Sequence, residues 1–360
     1  MFKRHPKVGR LAICDIDAGR LSSCAKEFQI KETYARLEDI LKSGLDAVAI
    51  FTQPWLHAPQ AIAAMEAGKH VYSAVPIICL SEGDEMLDWC DRIVKTSRAT
   101  GLNYMMGETS HYRPEAMYCR RRAKDFGTFV HAEGRYLHDI DLPDCNLRDV
   151  ARNRAGKDWN MKQSGDPPMH YPTHSLGGFL SVMNAHVTEL SAFGVRIPGD
   201  DWYRPDTVSG NLFGDEIALM RLSNGATAEI KEYRKIGALG YEGFSIYGTE
   251  ASLEDSFETP RWVTRESIGS PLTAAEMRDP LPADYAAALK DGDGNTEYGG
   301  HGGSHAYLVN EFVDSVVNRR TPAVNAWTAA RYFAPGVVAH KSALKDGAIM
   351  KVPDWGNPPA

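Results

Sequence analysis

A chain of 360 residues, 43% of them hydrophobic, is long enough for two domains and for a substantial core. Its formal charge of −7 argues against polyanions, so neither a nucleic-acid nor a membrane partner is expected. Six cysteines without a Cys-x-x-Cys pair, and no apolar run of the ~18 residues a membrane helix needs, read as reduced thiols and a cytoplasmic chain, although a leader upstream of Met1 is compatible with the sequence.

Residues 11–15 (Leu-Ala-Ile-Cys-Asp) form a short apolar strand ending in an acid. In a dinucleotide-binding unit such an acid closes the second strand, and a Gly-x-Gly-x-x-Gly loop lies about 20 residues before it. Counting back from Asp15 runs past Met1. The sequence therefore keeps the acid and lacks the glycine loop and the first strand, with residues 1–10 reading as the end of the first helix and its connector. Two explanations compete: a reading frame that starts upstream, and a degenerate, non-catalytic relative. The difficulty of losing a central strand favours the first.

Strand and helix then alternate. Arg20–Phe28 presents Leu21, Ala25 and Phe28 on one helical face. Residues 47–51 form a near-continuous apolar run, expected to be a strand buried on both faces. Residues 58–67 form a helix ending at Gly68, and His70-Val71-Tyr72 is the next strand. Ser81 and Asp84 resemble a capping box opening a helix that buries Met86, Trp89, Cys90, Ile93 and Val94 and stops at Gly101. Asn103–Met106 is the strand after it, giving a parallel, doubly wound sheet.

The pattern changes after Pro114, which opens a helix running to about Phe126 and carrying Arg120-Arg121-Arg122, the only basic run, on a solvated face. Phe129–Ile140, Ile217–Leu222, Ala226–Tyr233 and Glu242–Tyr247 alternate like strands of an open, mainly antiparallel sheet, with Asn224-Gly225 as a hairpin turn. Residues 254–300 read as an irregular excursion. Two helices close the chain, the second interrupted at Pro335. The expected architecture is α/β: an incomplete Rossmann domain over residues 1–115, then an α+β domain over 116–360.

Cys14-Asp15-Ile16-Asp17, Asp46-Ala47-Val48-Ala49-Ile50, Thr52-x-Pro54-x-x-His57 and Ala67-Gly68-Lys69-His70-Val71 occur in order at fitting intervals. Together they resemble the glucose–fructose oxidoreductase/inositol dehydrogenase (Gfo/Idh/MocA) family, over nearly the whole chain. The resemblance implies binding of NAD or NADP and action on sugars. The family's strand usually continues into Glu-Lys-Pro, whose lysine assists removal of a hydroxyl proton. Here the matching residues are Ala74-Val75-Pro76, and valine cannot move a proton. Tyr136-Leu137-His138, Tyr171-Pro172-Thr173-His174 and His301-Gly302-Gly303 look more like the family's NAD-dependent glycosidases, including α-N-acetylgalactosaminidases. Their chemistry, so implied, is redox-neutral: oxidation of a sugar hydroxyl, elimination of the leaving group, addition of water and return of the hydride. A net sugar dehydrogenase and a non-catalytic sugar-binding relative are the alternatives. Without the glycine loop, the chain as written is expected to bind NAD weakly or not at all.

Tyr136 and His138 are two apart on a strand and face one side. Pro172 starts a helix with His174 in its first turn, where the dipole favours a neutral imidazole. Tyr171 and His174 are expected at the oxidised hydroxyl and Tyr136 or His138 at the neighbouring C–H. Asp15 is the expected ribose ligand and selects NAD over NADP by repelling a 2′-phosphate; Thr52, Pro54, His57 and Pro76 are expected to border the nicotinamide. Glu108, Tyr112 and Arg113 follow the last parallel strand, where such sheets place ligand groups, and with Trp159 (Asp158 beside it) and His301 they are the candidate sugar contacts. His170 and His174 have metal-ligand spacing without a third ligand, so no metal is expected. The open sheet suggests a homo-oligomer.

Overall fold

The computed structural model describes residues 1–143, 147–150, 167–207, 210–238, 240–255 and 259–359. The first part contains β1 (Ala12–Cys14), α1 (Ala18–Glu27), β2 (Glu32–Tyr34), α2 (Leu37–Leu41), β3 (Ala47–Ile50), α3 (His57–Glu66), β4 (His70–Ser73), α4 (Gly83–Thr100), β5 (Tyr104–Met106) and α5 (Pro114–Arg121). The second contains β6 (Phe129–Leu137), α6 (Thr173–Met183), β7 (Val187–Val195), β8 (Asp215–Leu222), β9 (Thr227–Tyr233), β10 (Tyr241–Gly248), β11 (Ala251–Glu254), β12 (Arg261–Thr264), α7 (Ala274–Met277), α8 (Ala283–Ala288), α9 (Ser304–Val317), α10 (Ala326–Ala343) and β13 (Met350–Lys351).

The parallel strands form two separate leaves, β1–β2 and β3–β4–β5. Among the described residues no strand joins β1 to β3. The other sheet has eight strands in the order β12-β11-β10-β6-β9-β8-β7-β13, antiparallel except where β6 runs parallel to β9. Its β8–β9 hairpin turns at Asn224-Gly225, where Gly225 takes φ +89 and the Asn224 side chain accepts from Ala226 N–H.

Several expectations are corrected. Residues 47–51 are not buried on both faces: Ala49 and Phe51 are open, Phe51 to 66%, because no described helix or strand covers that side of β3. α1 buries none of its residues, so its apolar stripe lacks a core to pack on. The capping box at Ser81 does not form; Glu82 occupies the N-cap without a side-chain bond, and Asp84 pairs with Lys341 of α10 instead. α10 continues through Pro335, held by burial of nearly its whole length. The start of the chain is a single turn, Phe2–Arg4, with Phe2 wedged edge-on between Tyr72 of β4 and Phe312 of α9. β2, α2, β7 and β11–β13 are elements the sequence reading passed over.

The two halves share one core. α10 packs against both α4 and β7, and Asn325 bridges to Met105 of β5. α6 lies across β6 and β10. Gly134 of β6 permits this approach: a Cβ there would overlap the Ser175 carbonyl of α6.

Candidate functional site

Sheet alternation builds the floor of the site. Ala132 and Gly134 of β6, Ala228 and Ile230 of β9, and Phe244 and Ile246 of β10 point inward under α6. Continuing that phase brings Tyr136, Glu232 and Glu242 to the same face, and the register sets them side by side, with Tyr136 opposite Glu242 on one edge and Glu232 on the other. Buried Arg234 donates to Glu232 (2.7 Å) and lies over the Tyr136 ring, 4.3 Å from its centroid. Ser175 Oγ donates to the other Glu232 oxygen (2.5 Å). Burial pushes Glu232 up to about 7 against the pull of Arg234 and Ser175.

The roof comes from the first turn of α6 and the segment after β5. Pro172 caps α6 and places His174 in its first turn. His174 Nδ1–H donates to Glu108 Oε1 (2.8 Å), a fully buried carboxylate that also accepts from Ser110 N–H (2.8 Å). Burial alone would favour the neutral forms of both. The charges of Glu108 and Glu242 outweigh it and hold His174 above its usual pKa, while the His174 charge and hydrogen bond hold Glu108 below the usual carboxylate range. The two carboxylates thus favour the imidazolium, the reverse of what a helix dipole alone predicts.

The four expected proton-transfer residues, Tyr136, His138, Tyr171 and His174, meet here. The Tyr136 and Tyr171 rings lie 5.5 and 5.3 Å from that of His174, and the Tyr136 hydroxyl is 3.1 Å from His138 Nδ1. His301 approaches His174 from the other side, with ring centroids 5.8 Å apart. Arg113 donates to the Glu242 carbonyl (2.6 Å) and pairs with its carboxylate. Tyr112 turns away from this cluster, stacking on Tyr307 beside Arg120. His170 also turns away, bonding the Leu80 carbonyl (3.0 Å) and packing on His340. Asp158 and Trp159 lie outside the described residues. Glu232, Arg234 and Glu242 were missed, although the inward phase of β9 and β10 marks each acid as a buried charge needing a partner.

The nucleotide-side residues sit on the parallel leaves. Asp15 follows β1, where one carboxylate oxygen accepts from Asp17 N–H (2.8 Å) and the other lies 3.8 Å from Arg20. Thr52 bonds Gln60 (2.8 Å). His57 is buried, with its ring nitrogens facing the carbonyl oxygens of Pro76 (2.8 Å) and Thr52 (3.0 Å), so it braces the wall from behind. Asp15 and Thr52 thus stand just past the carboxyl ends of β1 and β3, where a parallel sheet places ligand groups; no described helix N-terminus beside β1 carries a glycine-rich turn for a pyrophosphate. A surface cleft of about 610 Å³, lined by Asp46, Lys69, His70 and Arg319 among others, opens at the amino ends of β3 and β4, the wrong end of such a sheet for a ligand.

Residues 2–106 match the family model described as an oxidoreductase family with an NAD-binding Rossmann fold. An alpha-N-acetylgalactosaminidase of Bacteroides fragilis is 33% identical over 151 residues, 40% of this chain and 33% of that protein, so the matched stretch spans a third of that relative. An alpha-N-acetylgalactosaminidase of Tannerella forsythia is 23% identical over 395 aligned positions, 96% of this chain and 80% of that one. Levoglucosan dehydrogenase, solved with NADH and levoglucosan, superposes with a TM-score of 0.74 at 18% identity, covering 96% of this chain and 90% of that one, which shows the shared fold.

Proposed function

We propose that this chain, a member of the Gfo/Idh/MocA oxidoreductase family, cleaves a glycoside by a redox-neutral cycle of oxidation, elimination, water addition and reduction. NAD, when bound, supplies the reversible hydride acceptor. The reading rests on one observation above all: Tyr136, His138, Tyr171, His174 and His301 gather around buried carboxylates, while Val75 stands where a dehydrogenase lysine is expected.

The chain's own residues divide the proton work. His301 accepts the proton of the hydroxyl that is oxidised, a role that its lowered pKa, the result of partial desolvation, favours. The His174 imidazolium, backed by Glu108, donates a hydrogen bond to the ketone oxygen so formed and stabilises the enolate as the neighbouring carbon loses its proton. The Tyr136–His138 pair takes that proton and passes it to the leaving oxygen as the C1–O bond breaks. Water then adds at C1 and the steps reverse. Arg113 fixes Glu242 at the edge of the groove.

The test supplies NAD in excess and a panel of aryl glycosides, N-acetylhexosaminides included, in heavy water. Aglycone release with deuterium at C2 of the sugar and no accumulation of NADH is expected. Free sugar oxidised with stoichiometric NADH would replace this reading with a net dehydrogenase. In the same assay Tyr136→Phe should lower release by about 10- to 100-fold by removing the hydroxyl paired with His138.

We also infer that chains associate through the outer face of the large sheet, where Phe193 and Leu219 are 58% and 57% exposed on adjacent strands. A monomer in sedimentation at micromolar concentration would refute this.

A further inference from the structure

We propose that His174, Glu242 and His301 form a binding site for a first-row divalent transition-metal ion in the sugar-facing groove. One ligand atom from each lies within 4.8 Å of the others. They arrive from three unrelated places in the chain: the first turn of α6, the inward face of β10, and the glycine-rich turn before α9.

The surroundings of each ligand match what metal sites require. A ligating histidine is oriented by a hydrogen bond on its other ring nitrogen. His174 Nδ1 is held by buried Glu108 at 2.8 Å, and His301 Nδ1 faces His305 Nε2 at 3.2 Å, so Nε2 of each ring faces the ion, which must displace the second proton of His174 as it binds. Arg113 holds Glu242 Oε2 and leaves Oε1. His301 adopts φ +51, a conformation that a non-glycine residue holds only when its surroundings impose it. Here it lies among Gly299, Gly300, Gly302 and Gly303, and the strain is spent on aiming one imidazole.

Two imidazoles and one carboxylate suit zinc, cobalt or ferrous iron better than calcium or magnesium, and three protein ligands leave a position open for water or a sugar oxygen. The Arg113 charge beside Glu242 weakens the site, so micromolar affinity is expected. Because the ion would occupy the positions assigned above to the His174 hydrogen bond and to the His301 base, it would inhibit cleavage. That consequence rests on the proposed function; the binding itself does not.

The experiment titrates the chelator-treated protein with Co²⁺ and follows the visible absorption of the bound ion. Saturable bands at one equivalent are expected. His301→Gln and Glu242→Gln should each weaken binding at least ~10-fold, while His131→Gln, on the opposite face of the sheet, should leave it unchanged. Circular dichroism and thermal melting establish that each variant is folded, and His301, at the surface, can be replaced without opening the core. Absence of the bands, or bands undiminished in folded His301→Gln, would overturn the site. Full Co²⁺ occupancy with undiminished glycoside cleavage would overturn the inhibition and leave the site standing.

Discussion

His174→Gln is expected to lower glycoside cleavage by about 10²–10⁴-fold, the loss typical of removing a positioned proton-transfer group. Glutamine keeps the shape and a hydrogen bond but cannot carry the charge that Glu108 and Glu242 hold on this ring. Glu108→Gln attacks the same pair from behind and should act on stability as well. Removing one partner of a buried ion pair costs about 3–5 kcal/mol, because the remaining charge is stranded or must neutralise. Its pH dependence follows from the two directions. His174 is raised, so its contribution is complete below the unfolded imidazole value and is lost as pH rises through the folded one. Glu108 is lowered, so its contribution is complete above the unfolded carboxylate value and is lost as pH falls through the folded one. Between roughly 4.3 and 6.5, the two unfolded values, the pair contributes fully. Melting temperatures measured across pH should therefore show the largest deficit of Glu108→Gln in that window, narrowing on both sides. Histidine C–H resonances should show the His174 pKa falling below its ordinary value in the variant; an unchanged titration would mean that Glu108 does not hold the proton there.

Gly134→Ala is expected to destabilise the protein by about 1–3 kcal/mol, the range for overpacking a core. The added Cβ has nowhere to go: it meets the Ser175 carbonyl, a backbone atom of α6, with Phe179 beside it. The strand and helix must part. Ser175 sits next to His174 and bonds Glu232, so separation also displaces the imidazolium from the sheet floor. Chemical denaturation should show a lower midpoint, and cleavage should fall in protein that is still folded. A variant with native stability and native turnover would show that β6 and α6 are not held at this distance.

The parallel part of the fold was legible because its helices and strands announce themselves by period and by glycine stops such as Gly68 and Gly101. The second sheet was legible in outline, since alternation in β8, β9 and β10 is clean. Short strands such as β2 and β13, each two or three residues long, carry too little pattern to be seen. Of the site, the aromatic and histidine residues were readable through their motifs. The charges around them were not, because an acid in a strand tells nothing of its partner until register places Glu242 and Glu232 on either side of Tyr136. That is also why the pull on the His174 proton does not show in the sequence: its helix position is visible locally, whereas Glu108 reaches it from 66 residues away.

The division of the parallel strands into two leaves has a dynamic consequence. No residue of β1, α1 or β2 is buried, whereas the inward positions of β6 and β9 are fully enclosed. Amide hydrogens of the small leaf will therefore exchange with solvent through a local opening of low free energy, while those of β6 and β9 wait for the whole chain to unfold. Any ligand that grips Asp15 must first still this leaf. The conformational entropy it removes subtracts from its affinity, and slowed exchange at Ala12–Cys14 becomes a direct gauge of how far that end of the ligand is engaged.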